Sequence, residues 1–124
     1  MKLLINGNTP SQKNRKIISM NRATGRPFLR TAPAEKEWRA KAAQELKLQF
    51  RGYQVTEYPI NLAVVLYFSD LRRRDLDNAL SSIMDALVDA EIIEDDNNKF
   101  VECITISYGG VDKINPRAEI YLDE

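Results

Sequence analysis

Histidine is absent from this chain of 124 residues, and cysteine occurs once, at Cys103. Without histidine, the chain cannot form a serine–histidine triad, an imidazole general base or a zinc site with histidine ligands. A single cysteine excludes an internal disulfide and a cysteine zinc cluster. Because Cys103 lies within an apolar segment, we expect its side chain to be buried. Any acid–base chemistry must therefore depend on carboxylates, lysines or a metal-activated water.

Long apolar runs are also missing, since none approaches the roughly 20 residues that a transmembrane helix needs. No signal peptide is recognisable, so we expect a cytoplasmic protein without membrane contact. Net charge is absent as well, because 18 basic residues balance 18 acidic ones, whereas many nucleic-acid-binding domains are strongly basic.

The charges are nevertheless unevenly distributed along the chain. Acids concentrate after Asp75, and basic residues dominate the segment 13–47: Lys13, Arg15, Lys16, Arg22, Arg26, Arg30, Lys36, Arg39, Lys41 and Lys47. This pattern fits a DNA surface next to a metal site, and the alternative is a solvated surface of mixed charge.

The order of predicted elements is strand, hairpin, helix, strand, helix, strand, strand. It indicates one α+β domain over residues 1–124, with a mixed β-sheet packed by two helices. The apolar run 60–68 predicts a central strand buried on both faces. We expect 109–113 to form a loop between the last two strands, at 100–108 and 117–122, which should be antiparallel.

Two further segments have specific expectations. Trp38 belongs to an apolar stripe of the first helix, at 33–50, and is expected in the core. The hairpin predicted from strands at 16–20 and 27–30 has a basic tip at 21–26. This tip either contacts phosphates or is only an exposed loop.

The most informative stretch is 71–78, Leu-Arg-Arg-Arg-Asp-Leu-Asp-Asn, at the start of an amphipathic helix. Apolar residues recur there at steps of four, three and four, which predicts a core-facing stripe: Leu76, Leu80, Ile83 and Leu87. Asp75 is placed to cap the helix, and Asp77 falls in its first turn, where free N–H groups favour carboxylates. Capping is the simplest explanation, yet one cap needs only one aspartate.

More carboxylates follow that helix, at Glu94, Asp95 and Asp96, in a segment with the composition of a turn. If the chain turns back, three or four carboxylates share one site, and their mutual repulsion requires a cation. Oxygen ligands suit Mg²⁺ or Mn²⁺ rather than zinc. Together with the arginines at 72–74, such a site would suit phosphodiester chemistry. The alternative for the arginines is pairing with nearby acids.

The motif Arg73-Arg74-Asp75-Leu76-Asp77-Asn78, then Asp85-Ala86-Leu87, then Asp95-Asp96 resembles the signature of the RusA-type Holliday-junction resolvases. The similarity extends to chain length, the Pro-Ser-Gln-Lys-Asn segment at 10–14 and the helix that carries tryptophan. The resemblance implies a small homodimeric enzyme that cuts four-way DNA junctions symmetrically with Mg²⁺ and no organic cofactor.

The resemblance also implies site residues. Asp75, Asp77 and Asp96 would bind the metal and support catalysis, with Asp95 as the neighbouring candidate. We expect DNA contacts from six basic residues: Arg72, Arg73, Arg74, Lys13, Arg15 and Lys16.

One position departs from the family pattern. Four residues after the second aspartate the family usually has a lysine, and here that residue is Ser81. Serine cannot supply a cation to a transition state. Either Lys13, Lys16 or Lys99 replaces the lysine, or the protein cuts slowly, or it is a junction-binding module that cuts weakly or not at all. A third hypothesis is a structural protein whose acids are caps and turn residues.

Overall fold

The computed structural model describes residues 1–11, 16–31 and 33–123, without the side chains of residues 16 and 31. The described chain contains six strands and two helices: β1 (Lys2–Asn6), β2 (Lys16–Met20), β3 (Pro27–Thr31), α1 (Pro33–Gln49), β4 (Ile60–Phe68), α2 (Leu76–Asp89), β5 (Val101–Val111) and β6 (Arg117–Asp123). The predicted α+β fold is therefore confirmed. Neither described helix is both long enough and apolar enough to span a membrane.

Four of these strands form a mixed sheet in the order β1-β6-β4-β5. The central strand β4 is parallel to β5 and antiparallel to β6, which in turn is antiparallel to β1. The strands β2 and β3 form the predicted hairpin as a separate antiparallel pair. Because β4 lies between β5 and β6, the last two strands run in opposite directions, as expected, but do not pair.

The core lies between the two helices and one face of the sheet. Alternate residues of β4, from Leu62 to Phe68, are buried together with Ala42 and Leu46 of α1 and the apolar stripe of α2. Trp38 packs against this core, as predicted. On the other face of β4, Ala63, Val65 and Tyr67 are only half-buried, and Asn61 is exposed. The prediction that β4 is buried on both faces is therefore wrong for this second face.

The strand β5 differs most from its prediction, because it continues through residues 109–111, which were expected in a loop. A side chain at Gly109 would meet the ring of Tyr67 at 2.7 Å, so only glycine lets the strand pass beneath that ring. Gly110 has a φ of +120° beside a register shift, which is the geometry of a β-bulge. Cys103 of β5 is exposed, which corrects its predicted burial, because this strand lies at the edge of the sheet.

The opposite edge of the sheet, β1, is covered by side chains of α1. The Gln49 side-chain amide accepts a hydrogen bond from the Leu4 N–H and donates one to the Leu4 carbonyl, both at 2.7 Å. Glu45 accepts a third hydrogen bond, at 3.0 Å, from the Asn6 N–H. These side chains occupy backbone groups that a further strand would otherwise bind.

Candidate metal and nucleic-acid site

The two aspartates of the central motif lie at the amino end of α2. Asp75 is the N-cap, and its carboxylate accepts hydrogen bonds from the Asp77 N–H at 3.1 Å and the Asn78 side-chain amide at 3.4 Å. Asp77 lies in the first turn, and both aspartates are exposed. The capping prediction is thus confirmed for Asp75. A carboxylate has about four acceptor positions, so capping leaves Asp75 able to bind a cation beside Asp77.

The loop before these aspartates is held by Arg74. Its guanidinium donates to the Asp70 carboxylate at 2.8 Å and lies 4.4 Å from the centre of the Phe68 ring. The hydrogen bond from Arg74 is the largest cause of a lowered pKa for Asp70. The Arg74 side chain is only 10% exposed. The alternative for this arginine, pairing with a nearby acid, is therefore confirmed, and its DNA contact stays a prediction.

Arg72 and Arg73 differ from Arg74. Their side chains are exposed, and within the described part of the chain neither forms an ion pair. The Arg72 backbone N–H instead donates to Asp70 at 2.9 Å, which tightens the loop. Two of the three arginines thus remain available for phosphate contacts beside the aspartates.

Two further hydrogen bonds connect this loop to the turn after β1. The Asn8 side-chain amide donates to the Ser69 hydroxyl at 2.8 Å, and the Ser69 N–H donates to the side-chain oxygen Oδ1 of Asn8 at 2.9 Å. Sequence reasoning did not single out Asn8 or Asp70. Their only signal was position, since Asp70 lies two residues after β4 and four residues before Arg74.

Asp75 borders a polar depression of about 530 Å³. The residues that line it come from the central motif and from the end of the turn after β1: Ser11, Arg73, Arg74, Asp75, Leu76 and Asn78. Lys13 and Arg15 lie outside the described residues. For Lys16 the structure gives the backbone position, at the start of β2.

The second pair of aspartates lies elsewhere. Asp95 and Asp96 precede β5, and the following residue, Asn97, accepts hydrogen bonds from the backbone of Phe100 and Val101 at 3.1 and 3.0 Å. This position is at the amino end of β5, whereas the motif aspartates follow the carboxyl end of its parallel neighbour β4. The two pairs are thus separated by the length of α2, whose 14 residues span about 21 Å.

The expected convergence of carboxylates is therefore absent within one chain. Among residues 1–11, 16–31 and 33–123, no group of three or more acidic or cysteine side chains is arranged to hold a metal ion. At the second pair, the Asp95 carboxylate accepts from the Asp96 N–H at 2.8 Å and from the Asn97 amide at 3.3 Å. The exposed Asp96 carboxylate has no such partner in the described part of the chain, so it is the freer ligand.

The other motif residues have distinct surroundings. Asp85 lies 3.9 Å from Arg39 of α1, so it contributes to helix packing. Ser81 is half-buried, one turn after Asp77. The Lys99 ammonium lies 6.0 Å from the centre of the Phe100 ring, near the second pair of aspartates. In a single chain, Lys99 is therefore at the opposite end of α2 from Ser81.

The basic hairpin tip is an ordered turn. The Asn21 side chain accepts hydrogen bonds from the N–H groups of Ala23 and Thr24 at 2.9 and 3.3 Å. The Asn21 backbone also pairs with Arg26 at 2.9 Å. Arg22 and Arg26 are exposed on this turn. The hairpin thus holds Arg22 and Arg26 on a hydrogen-bonded turn.

An ordered loop that presents paired carboxylates next to free arginines is typical of proteins that act on phosphodiesters with a divalent metal. The family described as "Endodeoxyribonuclease RusA" matches residues 8–123, nearly the whole chain, so the chain belongs to this family. A curated relative, the crossover junction endodeoxyribonuclease RusA of Aquifex aeolicus (strain VF5), is 37% identical over 65 residues. That match covers 52% of this chain and 51% of the relative, so the chain matches about half of the relative's length.

Proposed function

We propose that this protein is a divalent-metal-dependent endonuclease that resolves Holliday junctions by cutting two strands of a four-way DNA junction symmetrically. The observation that carries the proposal is the start of α2, where Asp75 and Asp77 are exposed beside Arg72 and Arg73 in a member of this family. Phosphate binding beside carboxylates is the arrangement that phosphodiester hydrolysis requires.

The donor chemistry fits Mg²⁺, with Mn²⁺ as a substitute. The candidate ligands are exposed carboxylate oxygens, which suit hard divalent cations. Asp75 and Asp77 would hold the ion. Asp96 lies at the other end of α2 in the same chain, so it would serve as a third ligand only from the second subunit of a dimer, and Asp95 would support the Asp96 loop through its hydrogen bonds. When bound, Mg²⁺ polarises the phosphate and lowers the pKa of water.

Other residues of the chain would position the DNA. Arg72 and Arg73 would neutralise phosphates next to the aspartates, while Arg74 and Asp70 fix the loop that carries them. The hairpin adds Arg22 and Arg26 at its tip, and Lys13, Arg15 and Lys16 extend the same basic segment. We further propose a homodimer, since a four-way junction has two equivalent strands to cut and a two-fold dimer offers two equivalent sites.

The decisive experiment is cleavage of a labelled immobile four-way junction, beside a linear duplex of the same sequence. The wild type is compared with Asp77→Asn, with and without Mg²⁺. Asp123→Asn is the matched control, since it makes the same chemical change at an exposed position on β6. We expect paired symmetric cuts in the junction that require Mg²⁺, persist in the control and disappear in Asp77→Asn. Equal cutting of the linear duplex would contradict junction selectivity.

The second candidate function is a junction-binding module that cuts weakly or not at all, and Ser81 is the observation that favours it. Ser81 lies one helical turn from Asp77 and cannot supply a cation. This candidate predicts that the wild type binds the junction without metal and leaves it intact. Ser81→Lys should then introduce cutting, and if it does not, loss of that lysine is not a sufficient explanation.

The structural-protein hypothesis makes a different prediction. If the acids serve only as caps and turn residues, the protein should bind no Mg²⁺. A calorimetric Mg²⁺ titration that gives binding in the wild type and none in Asp77→Asn would exclude it.

A further inference from the structure

A cavity of about 230 Å³ lies where the ends of both helices meet the segment before β4. Three aromatic residues line it, Phe50, Tyr53 and Tyr58, together with the buried side chains of Val55 and Ile92. This cavity lies beyond the carboxyl end of α2, whereas the motif aspartates lie at the amino end of that helix. It is therefore separate from the candidate metal site of the same chain.

The aromatic rings of the cavity are held by contacts with neighbouring rings. The ring centres of Phe50 and Tyr53 are 6.1 Å apart, with 36° between the ring planes. The Tyr58 ring meets Phe100 edge-on, with the centres 5.1 Å apart. Tyr53 is nevertheless 65% exposed, so much of its ring is uncovered. An uncovered aromatic face attracts a cation.

The lining also includes two carboxylates, those of Glu91 and Glu94. Both side chains are exposed, and within the described part of the chain neither forms an ion pair. Two basic residues are close to the lining in sequence, Arg51 and Lys99, and both are exposed without pairing with either glutamate. The cavity thus combines aromatic rings with negative charge that no described cation neutralises.

The stability of the fold does not account for Glu91. Its φ of 61° lies in the left-handed region, where a side chain is disfavoured and glycine is not. Its backbone N–H donates to the Val88 carbonyl at 3.0 Å, a hydrogen bond that glycine would form equally well. A side chain that costs stability in this way is typical of a binding site rather than of packing.

We propose that this cavity anchors one arginine side chain of a partner protein. A guanidinium is planar, so it can lie flat against an aromatic ring and donate two parallel hydrogen bonds to a carboxylate. An ammonium group is a compact, strongly hydrated charge that matches this combination less well. This inference does not depend on the proposed function.

The size and charge of the cavity exclude other classes of ligand. Small-molecule sites usually measure roughly 300–1,000 Å³, so a cavity of about 230 Å³ suits a single side chain rather than a cofactor. The carboxylates of Glu91 and Glu94 repel phosphate, which disfavours nucleic acid. Arginine is enriched among the residues that anchor protein interfaces in such pockets.

The first test titrates two capped pentapeptides into the isotope-labelled protein, one with a central arginine and one with citrulline, which has the same shape without the charge. The arginine peptide should shift the amide signals of Tyr53, Tyr58 and Glu91 in a saturable way, in the millimolar range. The citrulline peptide should bind at least about tenfold more weakly. Equal binding of the two peptides, or no saturable shift with arginine, would overturn the proposal.

The second test removes the negative charge of the lining. In Glu91→Gln/Glu94→Gln, the dissociation constant of the arginine peptide should rise at least about tenfold. The matched control is Glu37→Gln/Glu102→Gln, which makes the same changes at exposed positions on α1 and β5 and should bind as the wild type does. Unchanged amide signals outside the cavity establish that both folds are retained. Equal affinity of the two double variants would show that these carboxylates do not hold the guanidinium.

The third test removes an aromatic ring. Tyr53→Leu should weaken binding of the arginine peptide, whereas Tyr108→Leu should not, because Tyr108 is an exposed tyrosine of β5 outside the cavity. If Tyr53→Leu binds the peptide as tightly as Tyr108→Leu, the aromatic part of the site is refuted.

Two further measurements identify the occupant. Spermidine offers ammonium groups instead of a guanidinium, and we expect it to bind more weakly than the arginine peptide. Sedimentation of the wild type and of Glu91→Gln/Glu94→Gln should give the same state of association. Tighter binding of spermidine would assign the cavity to a polyamine, and weaker self-association of the variant would assign it to a second copy of this chain. Either result would overturn the assignment to a partner protein.

Discussion

Among the three arginines of the central motif, Arg74 is the one whose side chain packs against other residues of the protein. Its guanidinium covers the Phe68 ring at 4.4 Å, so truncation removes packing as well as charge. We expect Arg74→Ala to lower the free energy of unfolding by about 1–2 kcal/mol, from the lost contact with that ring. Urea unfolding measures this loss, with Arg72→Ala as the matched control because the Arg72 side chain is exposed. Equal stability of the two variants would contradict the assigned role.

Arg73 should behave in the opposite way. Its exposed side chain lines the depression beside Asp75, so Arg73→Ala should leave the melting temperature unchanged and weaken junction binding. The plot of log K against log salt should become less steep by about one unit, as expected for one lost phosphate contact. Titrations at several salt concentrations test this, with Arg51→Ala as a control at an exposed position after α1. An unchanged slope would mean that Arg73 does not contact phosphate.

At the residue scale, sequence patterns located the aspartates and arginines but did not distinguish neighbours of the same type. The three arginines at 72–74 look equivalent in sequence, and only the Phe68 ring and Asp70 separate Arg74 from the other two. The same is true of Asp95 and Asp96, which differ through hydrogen bonds within their own loop. These distinctions depend on tertiary contacts that no local pattern contains.

At the scale of elements, α2 ends in a Schellman motif that contains an unfavourable residue. The Ile92 N–H donates to the Leu87 carbonyl at 3.1 Å, and the Glu91 N–H donates to the Val88 carbonyl at 3.0 Å. Glu91 therefore occupies the left-handed position, with a φ of 61°, where glycine is preferred. We expect Glu91→Gly to raise the free energy of unfolding by about 1 kcal/mol.

Chemical denaturation of Glu91→Gly tests this expectation. Glu94→Gly is the matched control, because Glu94 is also exposed and its φ is not positive. The control should be neutral or destabilised. A loss of stability in Glu91→Gly would show that the side chain contributes more than its backbone strain costs.

The packing of α1 on α2 should depend on pH through Asp89. Arg39 donates to this carboxylate through two nitrogens, one of them at 3.0 Å, and these hydrogen bonds lower the pKa of Asp89. The stabilisation is therefore complete above the unfolded-state pKa of aspartate, about 4, and is lost as the pH falls through the lower folded-state pKa. Asp89→Asn should cost about 1 kcal/mol at neutral pH.

Unfolding curves of the wild type and Asp89→Asn, recorded from neutral pH to strong acid, measure this dependence. The difference between the two proteins should shrink in acid. The free energy of unfolding of Asp123→Asn should differ from that of the wild type by an amount without that pH dependence, because the pair between Arg39 and Asp89 is intact. A constant difference for Asp89→Asn would contradict an electrostatic origin.

Most element bounds were predictable from periodicity, whereas the end of β5, the pairing of the strands and the burial of the sheet were not. The apolar run of β4 suggested burial on both faces, but Ala63 and Val65 are only half covered. The glycines at 109 and 110 suggested a turn, because glycine is common in turns. Gly109 is instead required by Tyr67, a residue more than 40 positions earlier whose ring lies against β5, and Gly110 by its φ of +120°. Local composition cannot reveal a contact of that range.

At the scale of the whole molecule, metal binding should be detectable as an increase in the stability of the folded protein. A ligand that binds only the folded state stabilises it, by about 2.7 kcal/mol at a hundred times its dissociation constant. We expect Mg²⁺ to raise the melting temperature of the wild type and of Asp123→Asn, and EDTA to reverse the increase. Asp77→Asn should show no increase at the same Mg²⁺ concentration. An equal increase in Asp77→Asn, measured by calorimetry, would place the ion elsewhere.

The amide of Gln49 has a consequence for the size of any assembly. It occupies both the N–H and the carbonyl of Leu4, which hinders the pairing of a further strand with β1. The edge at which the sheet could still add a strand is then that of β5. Molecules whose sheets have two open edges can polymerise without limit, whereas molecules with one open edge stop at a pair. The two side chains on α1 thus protect the β1 edge, and replacing both, as in Glu45→Ala/Gln49→Ala, would create a second open edge from which fibres can grow.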